Sequence, residues 1–122
     1  AAETVHARNH LRELRGIGST AENLRAAVDG ELHEFTEMYP QFMRQADDEG
    51  QSKAKHSFDI ANRVEQVHHS LFEAALAALD EERDVKGETF YVCRVCGYTV
   101  EGESPDKCPV CGATKKAFDP VD

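Results

Sequence analysis

Apolar residues recur at helical spacing over most of the chain and give way to short β-type runs only near its end. Residues 1–15 read as a first helix, with Glu3, His6, His10 and Leu14 on one stripe. Gly16-Ile17-Gly18 stops it. Ser19 followed by Glu22 makes a capping box, so a second helix starts near Thr20. Its inward stripe runs Leu24, Val28, Glu31, Phe35, Met38, Phe42. The period survives to about Glu49, with a kink expected at Pro40, and Gly50 ends it. A third helix is predicted over 51–83, with Phe58, Ala61, Glu65, His68, Phe72, Ala75 and Leu79 on one face. Val85-Lys86-Gly87 reads as a linker. Beyond it come the run Thr89-Phe90-Tyr91-Val92 and tight turns. The layout is an all-α bundle over 1–85 and a small β/turn module over 88–122. A module of about 35 residues cannot hold itself together by apolar burial alone, so a metal is expected at its core.

The cysteines supply the ligands. All four fall in the module, as Cys93-x-x-Cys96 and Cys108-x-x-Cys111 with eleven residues between the pairs. Two such pairs can wrap one ion in a tetrahedron of thiolates. Gly97 and Gly112 follow the pairs, and a glycine there can take φ > 0 and turn backbone N–H groups toward the sulfurs. Two disulfides are the alternative. The spacing and the lack of a secretory signal favour metal in a reducing cytoplasm.

The helices carry a second set of candidates. Glu3-x-x-His6, Glu31-x-x-Glu34 and Glu65-x-x-His68 each project two side chains from one helix face. Singly, Glu3 and His6 read as a solvated pair, and Glu31 and Glu34 as a solvated acidic face. Glu65 and His68 interrupt a stripe that is otherwise apolar, where a carboxylate is costly unless paired or metallated. Glu3, Glu31, Glu34 and Glu65 together match the charge of two divalent cations. Glu-x-x-His motifs joined by single glutamates are the ligand pattern of di-iron carboxylate bundles. His69 neighbours His68 but points about 100° away. His10, His33 and His56 read as surface or supporting residues, and Tyr39 either aims a phenol at the pocket or packs in the core.

Composition narrows the partners. The chain has 122 residues, 40% hydrophobic and 30% charged, and a formal charge of −9. An acidic balance disfavours nucleic acid. No apolar run reaches membrane-spanning length.

At these residues the sequence resembles rubrerythrin. Glu31-x-x-Glu34-x-x-Glu37-Met38-Tyr39-Pro40, Glu65-x-x-His68 and Glu3-x-x-His6 are similar to three of that family's bundle helices. Phe90-Tyr91-Val92-Cys93-x-x-Cys96-Gly97-Tyr98, followed by Cys108-Pro109-x-Cys111-Gly112, resembles a rubredoxin module, with Tyr91, Tyr98 and Phe118 in its small core. The resemblance implies a ferritin-like bundle with a di-iron centre and a mononuclear Fe(Cys)4 centre, zinc being a possible substitute at the sulfurs. It implies a peroxidase that reduces hydrogen peroxide to water. Glu3, Glu31 and Glu65 would be iron carboxylates and His68 a permanent ligand. His6 and Glu34 would exchange at the other iron, and Tyr39 would hydrogen-bond near the centre. Fe(Cys)4 would pass electrons to the di-iron site, often across a dimer, and a reductase or rubredoxin-like carrier would refill it.

The family's bundle has a further helix, bearing one more glutamate, before these three. With Ala-Ala-Glu at the start and no initiator Met, an upstream segment, a helix-swapped second copy or a separate polypeptide is expected to cover the open seam. Two other functions compete: a ferroxidase of the ferritin kind, and a zinc-ribbon binding module without catalysis.

Overall fold

The computed structural model describes residues 2–82 and 89–121. The helices are α1 (Ala2–Glu13), α2 (Thr20–His33), α3 (Tyr39–Asp48) and α4 (Ser52–Asp80), with a π-helical turn over Glu34–Met38 joining α2 to α3. The strands are β1 (Phe90–Cys93), β2 (Thr99–Glu101) and β3 (Phe118–Val121), the last preceded by a 3-10 turn over Lys115–Ala117. The expected linker Val85-Lys86-Gly87 and the last residue of the expected third helix lie outside the described residues.

The start of α2 follows its sequence signal. The Ser19 N–H donates to Oε2 of Glu22 at 2.8 Å, and the Glu22 N–H donates to Oγ of Ser19 at 3.3 Å. From there α2, the π turn and α3 form one continuous rod that packs along α4. At Pro40, where a kink was expected, helical dihedrals run on through Met38 and Tyr39. Proline has no N–H to give and crowds the turn before it. The chain answers upstream by widening that turn, so that the Tyr39 N–H reaches back five residues to the Glu34 carbonyl. Pro40 then follows directly on the widened turn, at the first positions of α3.

The wider turn shifts the apolar register by about one residue. Before it, Leu24, Val28, Glu31 and Phe35 face inward as expected. After it, Met43 and Ala46 take the inward positions and Phe42 moves to the rim, 37% exposed. Phe42 still packs edge-on against Tyr39 and lies 5.4 Å from Phe58, centroid to centroid.

The module is a three-stranded antiparallel sheet in the order β2-β1-β3. Its interior is Cys93, Cys108 and Phe118, ringed by Tyr91, Tyr98 and Val100. Two of those three buried side chains belong to the ligand set, as the module's size requires. The module rests on α4. Val64, 2% exposed, faces Gly97 closely enough that a Cβ there would stand 3.7 Å from its methyl. The Arg63 guanidinium donates to the Pro109 carbonyl at 3.3 Å.

Ser19→Ala removes the reciprocal cap of α2. It should cost about 1 kcal/mol of helical stability, read as a lower urea midpoint by circular dichroism at 222 nm. An unchanged midpoint would show that the rod's start is held by tertiary packing alone.

Candidate metal centres

The two cysteine pairs fold into matching hairpins. In the first, the Cys93 N–H donates to the Tyr98 carbonyl and the Gly97 N–H donates back to Cys93; in the second, Cys108 donates to Ala113 and Gly112 to Cys108. Each loop closes on a glycine with positive φ, +86° at Gly97 and +76° at Gly112, a conformation that side chains resist. The loops bring the Cys93 and Cys111 sulfurs to 3.7 Å and those of Cys96 and Cys108 to 3.6 Å. A tetrahedron with arms of about 2.3 Å has edges of about 3.8 Å, so the sulfurs already span a metal's coordination sphere. All four are free thiols, and those contacts far exceed the roughly 2.05 Å of a disulfide. Burial pushes the thiols of Cys96 and Cys111 up. At Cys108 burial also acts upward, but N–H donors from Cys111 and Val110 outweigh it and bring the group down to about 7. The donor set and its geometry fit one iron or zinc ion.

The second cluster lies between α2 and α4. Glu31, Glu65 and His68 offer ligand atoms that all fall within 4.8 Å of one another. Nδ1 of His68 is 2.7 Å from Oε2 of Glu65 and 3.9 Å from Oε1 of Glu31. Two groups that both present lone pairs at 2.7 Å need a shared cation between them, a proton or a metal. Oε2 of Glu31 is buried without a hydrogen-bond partner. An orphaned carboxylate oxygen in such a place is costly, and a cation satisfies it. Burial, the hydrogen bond to Glu65 and the charge of Glu65 push the Glu31 carboxyl up to about 7; His68 opposes and Glu34 adds to the rise.

The other side of His68 is turned to the module. Nε2 lies 3.1 Å from the Gly97 carbonyl and 3.1 Å from Oγ1 of Thr99, while the Thr99 hydroxyl donates to the same carbonyl at 3.0 Å. A carbonyl only accepts, so Nε2 carries its proton toward Gly97. In the neutral ring this leaves the Nδ1 lone pair facing the carboxylates, the tautomer that a metal needs.

The candidate residues thus separate. The structure brings together all four cysteines as one group and Glu31, Glu65 and His68 as another. Glu34 and Tyr39 lie alongside: burial pushes the Tyr39 phenol up, and the charges of Glu65, Glu34 and Glu31 push it further. Glu3 and His6 are not brought to the cluster. Their side chains are 93% and 60% exposed and 3.6 Å apart, a solvated pair on α1. The physical reason is that α1 has little to fasten it. Its Val5 and Leu11, and Leu14 just beyond, stand exposed. His33 pairs with Glu37 at the surface, and His69 turns away to meet Glu73 and the edge of Phe35. The motif reading missed Gly97 and Thr99 as partners of His68 and Arg63 as a partner of Pro109. These contacts join residues about thirty to fifty apart in sequence and have no local signature. Among the described residues, no helix is long and apolar enough to cross a membrane.

Comparison with known proteins agrees with both sites. The rubrerythrin family matches residues 1–76, and the rubrerythrin rubredoxin-like domain matches residues 91–119. Rubrerythrin-2 of Clostridium acetobutylicum is 34% identical over 131 residues, covering 96% of this chain and 71% of that protein. Nigerythrin of Nitratidesulfovibrio vulgaris is 42% identical over 96 residues, covering 79% of this chain and 46% of that protein. A solved structure of nigerythrin in a mixed-valence state superposes with a TM-score of 0.78 at 38% identity, over 85% of this chain and 50% of that one. The fully reduced, all-ferrous state gives 0.77. The chain spans about half the length of nigerythrin.

Cys93→Ala should abolish the red absorption of the iron-loaded cysteine site and unfold the module, leaving the helical signal intact. Loss of the helices would mean that the two parts fold as one. A second expectation concerns pH. Glu31 binds its proton more tightly folded than unfolded, so its contribution to stability is full below about 4.5 and is lost as pH rises through about 7. Metal-free protein should weaken across that window, and Glu31→Gln should flatten the decline. An identical slope in the variant would place the effect on other groups.

Proposed function

The chain belongs to the rubrerythrin family, di-iron proteins that also carry a rubredoxin-like four-cysteine iron site, and we propose on that premise that it reduces hydrogen peroxide to water. The observation that carries this reading is the hydrogen bond that links the two candidate centres through His68. His68 presents one ring nitrogen to the Glu31–Glu65 cluster, and the other to the carbonyl of the residue that follows Cys96. Two oxidoreductive sites joined through one imidazole suit a reaction in which electrons enter at the sulfurs and are used in the bundle.

Peroxide reduction consumes two electrons and two protons for each pair of water molecules formed. An iron pair, when bound, supplies the electrons and a Lewis-acidic place for peroxide. The chain's own groups do the rest. Glu31, Glu65 and His68 hold the metals, and Glu34 stands next to them as a further anionic donor. Tyr39, its phenol pushed up by burial and by the charges of Glu65, Glu34 and Glu31, is proposed as a hydrogen-bond donor to the centre. Cys93, Cys96, Cys108 and Cys111 hold the single iron.

Glu3 and His6 are assigned to the same bundle centre in an assembled homo-oligomer, delivered by α1 of a second copy. Two features support this. The apolar residues of α1 stand exposed. A cavity of about 400 Å³, lined by Leu24, Leu71, Phe72 and Ala75, opens beside Glu31 and His68. The electron donor is proposed to be a reductase or a rubredoxin-like carrier.

Anaerobic stopped-flow mixing of the reduced, iron-loaded protein should show faster oxidation by hydrogen peroxide than by dioxygen. A clear preference for dioxygen would reject the peroxidase reading in favour of iron oxidation. Glu65→Ala should lower bundle metal content and turnover together and leave the red absorption of the cysteine site untouched; persistent turnover would remove Glu65 from the ligand set.

A further inference from the structure

We propose that Thr99, on the first position of β2, is a positioning residue for the bundle metal site, holding His68 so that Nδ1 points at Glu31 and Glu65. The inference deepens the reading above and rests on His68 being a metal ligand.

Its basis is a closed triangle of polar atoms at the contact between α4 and the module. Nε2 of His68, the Gly97 carbonyl oxygen and Oγ1 of Thr99 lie 3.0–3.1 Å apart on every side. The protons can be placed from chemistry. The carbonyl has none to give, so it accepts from both other corners. The Thr99 hydroxyl spends its one proton on the carbonyl, and its oxygen is then an acceptor for Nε2–H. The opposite arrangement, with the hydroxyl donating to a bare Nε2, would set a nitrogen lone pair against the carbonyl oxygen at 3.1 Å. The Gly97 carbonyl therefore sets the tautomer, and Thr99, its own proton committed to that carbonyl, adds a second acceptor that fixes the rotation of the ring.

Other contacts keep the triangle from drifting. Thr99 sits opposite Val92 in the β1–β2 ladder, which fixes its backbone. Gly97 is held between the two cysteine hairpin bonds and the methyl of Val64. His68 is free to turn about its own side-chain bonds. Glu65 and Glu31 draw its Nδ1 edge one way, and Thr99 with Gly97 anchors the other edge. Thr99 is the only one of the two anchoring groups that a substitution can remove, because the other is main chain. It touches neither the carboxylates nor any sulfur in these contacts, so it acts through His68.

The test uses the full chain with zinc already filling the cysteine site, titrated at the bundle with cobalt(II). Thr99→Val keeps volume and β propensity while deleting the hydroxyl. It should weaken cobalt binding about tenfold or more, the scale on which groups that orient a metal-bound histidine act. With zinc at the cysteines and no metal added to the bundle, the His68 Nε2 proton of the variant, seen by nitrogen-edited NMR, should exchange faster with water. Thr99→Ser should restore both. Cobalt affinity within twofold of wild type and an unchanged Nε2 signal in Thr99→Val would overturn the proposal. Should valine disturb the sheet, shown by loss of zinc, Thr99→Ala carries the same two readouts. Absence of peroxide turnover in the wild type would sink the peroxidase reading alone, because neither readout depends on turnover.

Discussion

A carboxylate taken out of water must find a positive partner, and the helical half of this protein is arranged around that requirement. Glu31 and Glu65 sit among apolar side chains, 18% and 15% exposed, within reach of one imidazole. One oxygen of Glu31 has no partner at all in the described structure. The same constraint shapes the module in another form. Cys93 and Cys108 are buried and Cys96 and Cys111 half-buried; burial resists ionisation at Cys96 and Cys111, while at Cys108 backbone N–H groups outweigh it. In both places the protein sets donors at coordination distance and leaves the compensating charge to a cation.

The two cation sites are not independent. The module lies on α4 through Val64, Arg63 and His68. His68 is the hinge of this arrangement in a chemical sense, since each ring nitrogen answers to a different half of the chain. The π turn contributes from the other side of the bundle. It opens at Glu34, next to the carboxylate cluster, and lets Pro40 enter a helix without breaking it.

Much of this was legible in the sequence, for reasons that can be named. The cysteine spacing is local, and each hairpin forms within six residues, so motif and geometry coincide. Helix existence and the Glu65-x-x-His68 pair were legible because a 3.6-residue period survives for many turns in α4. Three things were hidden. The slip from Phe42 to Met43 arises from one extra residue in a turn, and periodicity alone does not reveal where a helix widens. The solvated state of Glu3 and His6 depends on what α1 packs against, which no pattern within α1 records. The meeting of His68 with Gly97 and Thr99 joins distant segments, and tertiary contacts of that range leave no signal in spacing.

Two of the polar links from α4 to the module, those of Arg63 and His68, end on main-chain carbonyls, at Pro109 and Gly97. A carbonyl is the same atom whatever side chain precedes it. At those two points recognition reads backbone shape, and the Thr99 hydroxyl is the side chain the seam adds to it. Modules from divergent relatives could be grafted onto this helix without redesigning it, provided the loop after the first cysteine pair keeps its left-handed glycine and a hydroxyl stands two residues beyond.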